Sequence, residues 1–160
     1  VVAESMLSRG TAYRCYCSRE DLEAMRAALD EARLAFAQGD VPVGAVVLHN
    51  GEVIARRHNE REFANDPTAH AEVLALRDAS QKLGSWRLDE CTLVVTLEPC
   101  VMCMGALYWS QLDRVVFGAS DLKRGFASQG LQAHPKTKIQ GGVLAEDSGA
   151  LMERFFKNKR

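Results

Sequence analysis

The sequence has almost no net charge: 20 Lys and Arg offset 21 Asp and Glu in 160 residues, for a formal charge of -1. A whole-chain basic field for nucleic acid is therefore absent, and any such binding must use a local patch. No apolar run approaches the length needed to cross a bilayer. The opening VVAESMLSRG carries a glutamate early and lacks a long apolar stretch, so no secretory signal is read there. Repeats and low-complexity linkers are also missing. The cysteines number five, an odd count that argues against a disulfide framework. The expected compartment is the cytoplasm. What is present is ordinary globular composition, with 47% hydrophobic and 26% charged residues. A chain of this length fits one compact domain that can bury a core without staples.

Ser18 is placed to cap a helix from Arg19 to Gln38, in which Leu22, Met25, Leu29, Ala32 and Phe36 recur at helical spacing. Val43–His49, Asn50-Gly51 and Glu52–Arg56 read as a β-hairpin, because Asn-Gly tolerates the positive φ angles of a tight turn. A polar loop, residues 57–67, carries His58 and Asn59. Thr68 can cap a second helix over Ala69–Lys82. Cys91–Thr96 reads as a buried strand, Cys100–Ser110 as a helix opened by Pro99, and Arg114–Gly118 as a short strand. Residues 125–142 are loop-rich, with a candidate strand at Thr137–Gln140. A closing helix over Glu146–Lys157 turns Leu151, Phe155 and Phe156 inward. Strands alternating with helices predict a three-layer α/β/α sandwich around a mixed sheet. Residues 1–18 read as an extension and 19–160 as the domain.

The chemistry-bearing residues are His70, Glu72, Cys100 and Cys103. Cys-x-x-Cys on a first helical turn lets both sulfurs reach one ion, and the helix N-terminus favours thiolate over thiol. Two thiolates and an imidazole make three ligands, the usual number at a catalytic zinc that keeps one position for water. Zinc brings such water within reach of deprotonation near neutral pH. Glu72, two residues from a ligand, can lie beside the metal without binding it and move a proton to a ring nitrogen and then to a departing amine. Alternatives stay open at this point. The cysteines alone could be a redox pair or half of a structural zinc site, with His58 or His134 as a fourth ligand. A non-enzymatic zinc module would have no use for the glutamate. Cys91, heading an apolar strand, reads as a core thiol.

His-x-Glu followed by Pro-Cys-x-x-Cys resembles the signature of the zinc-dependent nucleobase deaminases. The resemblance extends over about residues 25–160 and points to the TadA-type tRNA adenosine deaminases. It is carried by VPVGAVV (41–47), HN (58–59), DPTAHAE (66–72), TLEPCVMCMGAL (96–107), RVVFGASDLK (114–123) and FFKNKR (155–160). It implies a cytidine-deaminase-like fold, one zinc ion per subunit, and a homodimer whose partner helps build the RNA site. The implied reaction converts the wobble adenosine of a tRNA anticodon stem-loop to inosine, with release of ammonia. His70, Cys100 and Cys103 would bind zinc, Glu72 would shuttle protons, Asn59 would hydrogen-bond the flipped base, and Asp121 would lie near its ribose. Without the resemblance, Asn59 reads as a loop cap and Asp121 as a helix N-cap. Lys157, Lys159 and Arg160 could meet phosphates.

Two segments depart from that family. Residues 124–143, RGFASQGLQAHPKTKIQGGV, look shorter than the usual loop and lack its Asn-His pair. Substrate choice lives in such loops, so deamination of a free base, nucleoside or nucleotide of guanine or cytosine type is the alternative. Residues 12–26, AYRCYCSREDLEAMR, resemble instead a piece of a glutamyl-tRNA synthetase. The second half of that enzyme's zinc motif is missing, so Cys15 and Cys17 are not expected to bind zinc. Val1 at the first position agrees with a fragment or a processed start.

Overall fold

A computed structural model describes residues 17–159. The expectations for the extension, for Cys15 and for Arg160 lie outside them. The chain starts with helix α1 (Arg19–Ala37). The hairpin β1 (Gly44–His49) and β2 (Glu52–His58) follows, then a four-residue helix α2 (Arg61–Ala64). Helix α3 (Ala71–Leu83), strand β3 (Cys91–Leu97), helix α4 (Val101–Ser110) and strand β4 (Arg114–Ala119) come next. Strand β5 (Lys138–Gln140) and helix α5 (Ala145–Asn158) complete it. The five strands form one sheet in the order β2-β1-β3-β4-β5. β1 pairs antiparallel with β2 and β3, while β3–β4 and β4–β5 are parallel.

The alternation of side chains across a pleated strand builds the three layers. Ala45, Val47, Leu93, Val95, Val115 and Phe117 face one side and pack against Ala71, Ala75 and Ala79 of α3 and Met104 and Leu107 of α4. Val46, Leu48, Val94 and Val116 face the other side and meet Ala24, Met25, Ala28 and Leu29 of α1. Both sides of the central strands are thus covered, which is why they read as continuous apolar runs. The hairpin turn forms as its sequence predicts, with φ of 51° at Asn50 and 79° at Gly51. Ser18 closes a full capping box with Asp21. Arg114 adds bonds of 3.3 and 2.9 Å to the same Asp21 carboxylate, tying the start of α1 to β4. Burial works to raise the Asp21 pKa, but the bonds from Arg114 and Ser18 prevail and lower it.

Four expectations need correction. Thr68 does not cap the second long helix, whose N-cap is His70. The Thr68 amide and hydroxyl instead donate to Asp66 at 2.8 Å, a local turn that competes with capping. The polar loop after β2 contains α2, too short to show a period. Strand β2 runs two residues further than the alternation indicated, because Arg57 and His58 pair with Ala45 and Gly44. In α5, Leu151 and Phe155 are buried but Phe156 is 47% exposed, one step around the helix from the apolar stripe. Of the described cysteines, Cys91, Cys100 and Cys103 are free thiols and Cys17 is disulfide-bonded. Burial pushes the Cys91 thiol up to about 11, as a core thiol requires.

Candidate active site

Helices α3 and α4 lie on the same face of the sheet, and their N-termini meet. His70 is the N-cap of α3 and Glu72 stands in its first turn. Cys100 is the N-cap of α4 and Cys103 lies one turn on. Strand β3 and the short link Glu98-Pro99 deliver Cys100 to that place. The His70 Nδ1 atom lies 3.6 Å from the Cys100 Sγ and 3.5 Å from the Cys103 Sγ. All three donor atoms lie within 4.8 Å of one another. Nitrogen at about 2.05 Å and sulfur at about 2.3 Å from a tetrahedral zinc stand about 3.6 Å apart. The donor set therefore fits a zinc ion in both chemistry and spacing. Neither His58 nor His134 joins the group. His58 is engaged by Glu31 at 2.8 Å, and His134 packs on the Tyr108 ring. Among the described residues the centre thus has three protein donors, and a closed four-ligand structural site is not assembled.

Within the cluster the two thiols and the imidazole share protons unequally. The Cys100 thiol is drawn down to about 4, first by the hydrogen bond from Cys103 and, against burial, by the bond to His70. The same shared proton raises the Cys103 pKa, and burial adds to it. His70 is raised by its bond to Cys100. Glu72 is 4% exposed, and desolvation raises its pKa. Burial thus favours the protonated form of this carboxyl group, and a carboxyl group beside the cluster is the residue type that can take up and release a proton.

Asn59 follows β2 directly and is 5% exposed. Its backbone amide is held by the Val43 carbonyl at 3.0 Å. Its side-chain oxygen Oδ1 is buried with no hydrogen-bond partner in the protein. Orphaned buried oxygens are costly, so this atom is one that a ligand can satisfy. Asp121 lies on the segment after β4, where its Oδ1 accepts the amides of Lys123 and Arg124 at 3.1 and 3.0 Å. It shapes a turn there and caps no helix. Two further carboxylates, Asp40 and Glu98, are not found by spacing and are 0% and 6% exposed; Glu98 stands two residues before Cys100, and Asp40 holds the segment that leads from Asn59 to His70. The available signal was an isolated acidic residue next to apolar neighbours, in Asp40-Val41 and Leu97-Glu98-Pro99.

The comparisons with known proteins agree with this geometry. Residues 19–160 match the family of MafB19-like deaminases. A tRNA-specific adenosine deaminase of Bacillus subtilis (strain 168) is 44% identical over 142 residues, covering 85% of this chain and 88% of that protein. A structure from studies of A-to-I editing by tRNA:A34 deaminases at the wobble position superposes with a TM-score of 0.76. It is 37% identical and covers 81% of this chain and 98% of the other. The guanine deaminase of Bacillus subtilis gives a TM-score of 0.61 at 36% identity, over 71% of this chain and 70% of its own. With a mixed five-stranded sheet, a His-Cys-Cys cluster beside a buried glutamate, and relatives at these identities, the chain matches the MafB19-like deaminase family and belongs to the TadA-type tRNA adenosine deaminases.

Proposed function

We propose that this protein hydrolyses the wobble adenosine of a tRNA anticodon to inosine and releases ammonia. The observation that carries the reading is the convergence of His70, Cys100 and Cys103 on one point with buried Glu72 beside them. His70, Cys100 and Cys103 would hold one zinc ion per subunit. Zinc, when bound, supplies an acidified water as the nucleophile. Glu72 would take one proton from the attacking water and pass it to the adenine ring nitrogen beside the attacked carbon, then take the remaining proton from the new hydroxyl and deliver it to the amine, so that ammonia leaves as the carbonyl forms. Asn59 would bind the flipped base, since an amide offers both a donor and an acceptor to a purine edge. Asp121 would meet the ribose of the same nucleotide. Lys157 and Lys159, on or just after α5, would contact phosphates. The chain as a whole is nearly neutral, so binding by this local basic patch should weaken with salt.

The test is inosine formation in an anticodon stem-loop with the zinc-replete protein. No inosine, together with ammonia release from guanine or a cytosine nucleoside, would establish the alternative substrate class. Guanine remains the specific competitor because a guanine deaminase shares the fold at 36% identity.

We further propose a homodimer built on α4. This helix carries no charged residue, yet Val101, Tyr108 and Trp109 are exposed on it, Trp109 by 73%. Next to them a groove of about 420 Å³ is lined by Val73, Leu76, Trp86 and Ala106. A charge-free helix belongs in a buried setting, and a second copy supplies an apolar surface of the same kind. Trp109→Glu is expected to give a monomer by sedimentation. A wild-type protein that is already monomeric at micromolar concentration would refute the dimer. Among the described residues no helix is long and apolar enough to cross a membrane. We propose a cytoplasmic location, which the proposed tRNA substrate supports.

A further inference from the structure

Asp40 and Glu98 share an unusual arrangement. Each is buried, and each places both carboxylate oxygens on backbone N–H groups of a segment distant in sequence. The Glu62 amide donates to Asp40 Oδ1 at 2.7 Å and the Phe63 amide to Oδ2 at 3.0 Å. The Asp121 amide donates to Glu98 Oε1 at 3.3 Å and the Ala127 amide to Oε2 at 3.2 Å. The two segments flank the His-Cys-Cys cluster. The first joins Asn59 to His70. The second carries Asp121 and is fastened to the other ligand loop, through a bridge between Cys100 and Gly125 and a 2.9 Å bond from the Phe126 amide to the Pro99 carbonyl.

We propose that Asp40 and Glu98 are a matched pair of positioning residues, each clamping one wall of the substrate pocket. As such they presuppose the deamination proposed above. The physical need is clear in both walls. Helix α2 has four residues, and its own N-cap, Glu60, makes no side-chain cap bond. So short a helix does not persist alone. Glu62 and Phe63 occupy the two first-turn positions whose amides an N-cap normally satisfies. Asp40 supplies that cap from the other side of the hairpin. In the second wall, a Cβ on Gly125 would stand 1.9 Å from Glu98 Oε2. The loop backbone is therefore drawn flat against the carboxylate, and only glycine permits it. A carboxylate suits both places because it is an acceptor only, so two donors can be met at once. An amide there would turn its NH2 group toward an N–H donor.

Residue-resolved amide hydrogen exchange on the whole protein, with stem-loop kinetics, tests the pair. In the wild type the amides of Glu62, Phe63, Asp121 and Ala127 should exchange slowly although no regular ladder holds them. Exchange as fast as in unbonded loop amides would overturn the proposal without any variant. Asp40→Asn should speed exchange at 62 and 63 by about tenfold and spare 121 and 127, and Glu98→Gln should do the reverse. Each variant should raise KM for the stem-loop by about tenfold while kcat stays within about twofold and zinc content is unchanged. A fall in kcat at constant KM, the mark of a smaller folded fraction, would reduce both residues to structural parts. A wild type that forms no inosine would instead sink the proposed reaction, while the exchange data still decide the clamps.

Discussion

Glu72→Gln should lose turnover by about 10²- to 10⁴-fold while keeping its metal and its fold. Glutamine matches glutamate in shape, so the pocket stays filled. It cannot take a proton from water, nor return one to the ring nitrogen or the amine. Stability should hold or rise. Glu72 is 4% exposed and desolvation opposes its charged form, so a neutral isostere removes a cost of burial. The combination of lost activity with an unchanged or higher melting temperature is diagnostic, because a misfolded variant would lose both. Activity within tenfold of wild type would remove Glu72 from the proton path. Zinc lost along with activity, by metal analysis, would make it a part of the metal site instead.

Gly44→Ala should be strongly destabilising. A Cβ at that position would lie 1.9 Å from the Ala28 carbonyl oxygen, 2.6 Å from the Ala32 nitrogen and 2.8 Å from the Glu31 Cβ. Two of these are backbone atoms of α1, so no rotamer change relieves the clash. The helix must back away from the sheet, which opens the layer where Met25, Ala28 and Val46 are fully buried. Overpacking of this kind costs about 3 kcal/mol or more. In a domain of this size that lowers the melting temperature by about 10 °C. The shift would also move the hairpin that leads to Asn59, so activity should fall with stability. A melting temperature within about 2 °C of wild type would show that α1 rides on the sheet more loosely than described.

The long helices and the central strands were legible because each carries its own signal. In α1 the repeat of Met25, Leu29 and Ala32 falls on the buried face, and Ser18 marks the start. β1 and the Asn50-Gly51 turn are local choices of side-chain shape and backbone freedom. The His-Cys-Cys cluster was legible for a different reason, its resemblance to the deaminase signature. His70, Cys100 and Cys103 are residue types that protein cores seldom gather without a metal, and Cys-x-x-Cys fixes two donors on one helical turn. Where local signals competed, the reading failed. Thr68 had both Asp66 and a helix within reach and took the nearer carboxylate. Phe156 is apolar by type, while its position around α5 faces it outward.

Sequence alone therefore determined the alternation of strands and helices and the two faces of the sheet. Those properties depend on neighbours a few residues away, so period and spacing encode them. The tertiary structure alone decided that the starts of α3 and α4 meet, with Nδ1 of His70 turned toward both sulfurs. It also left Asn59 Oδ1 buried and unpaired. Asp40 and Glu98 reach amides 22 to 29 residues along the chain. Contacts over such separations exist only after the sheet has closed, and no local pattern announces them.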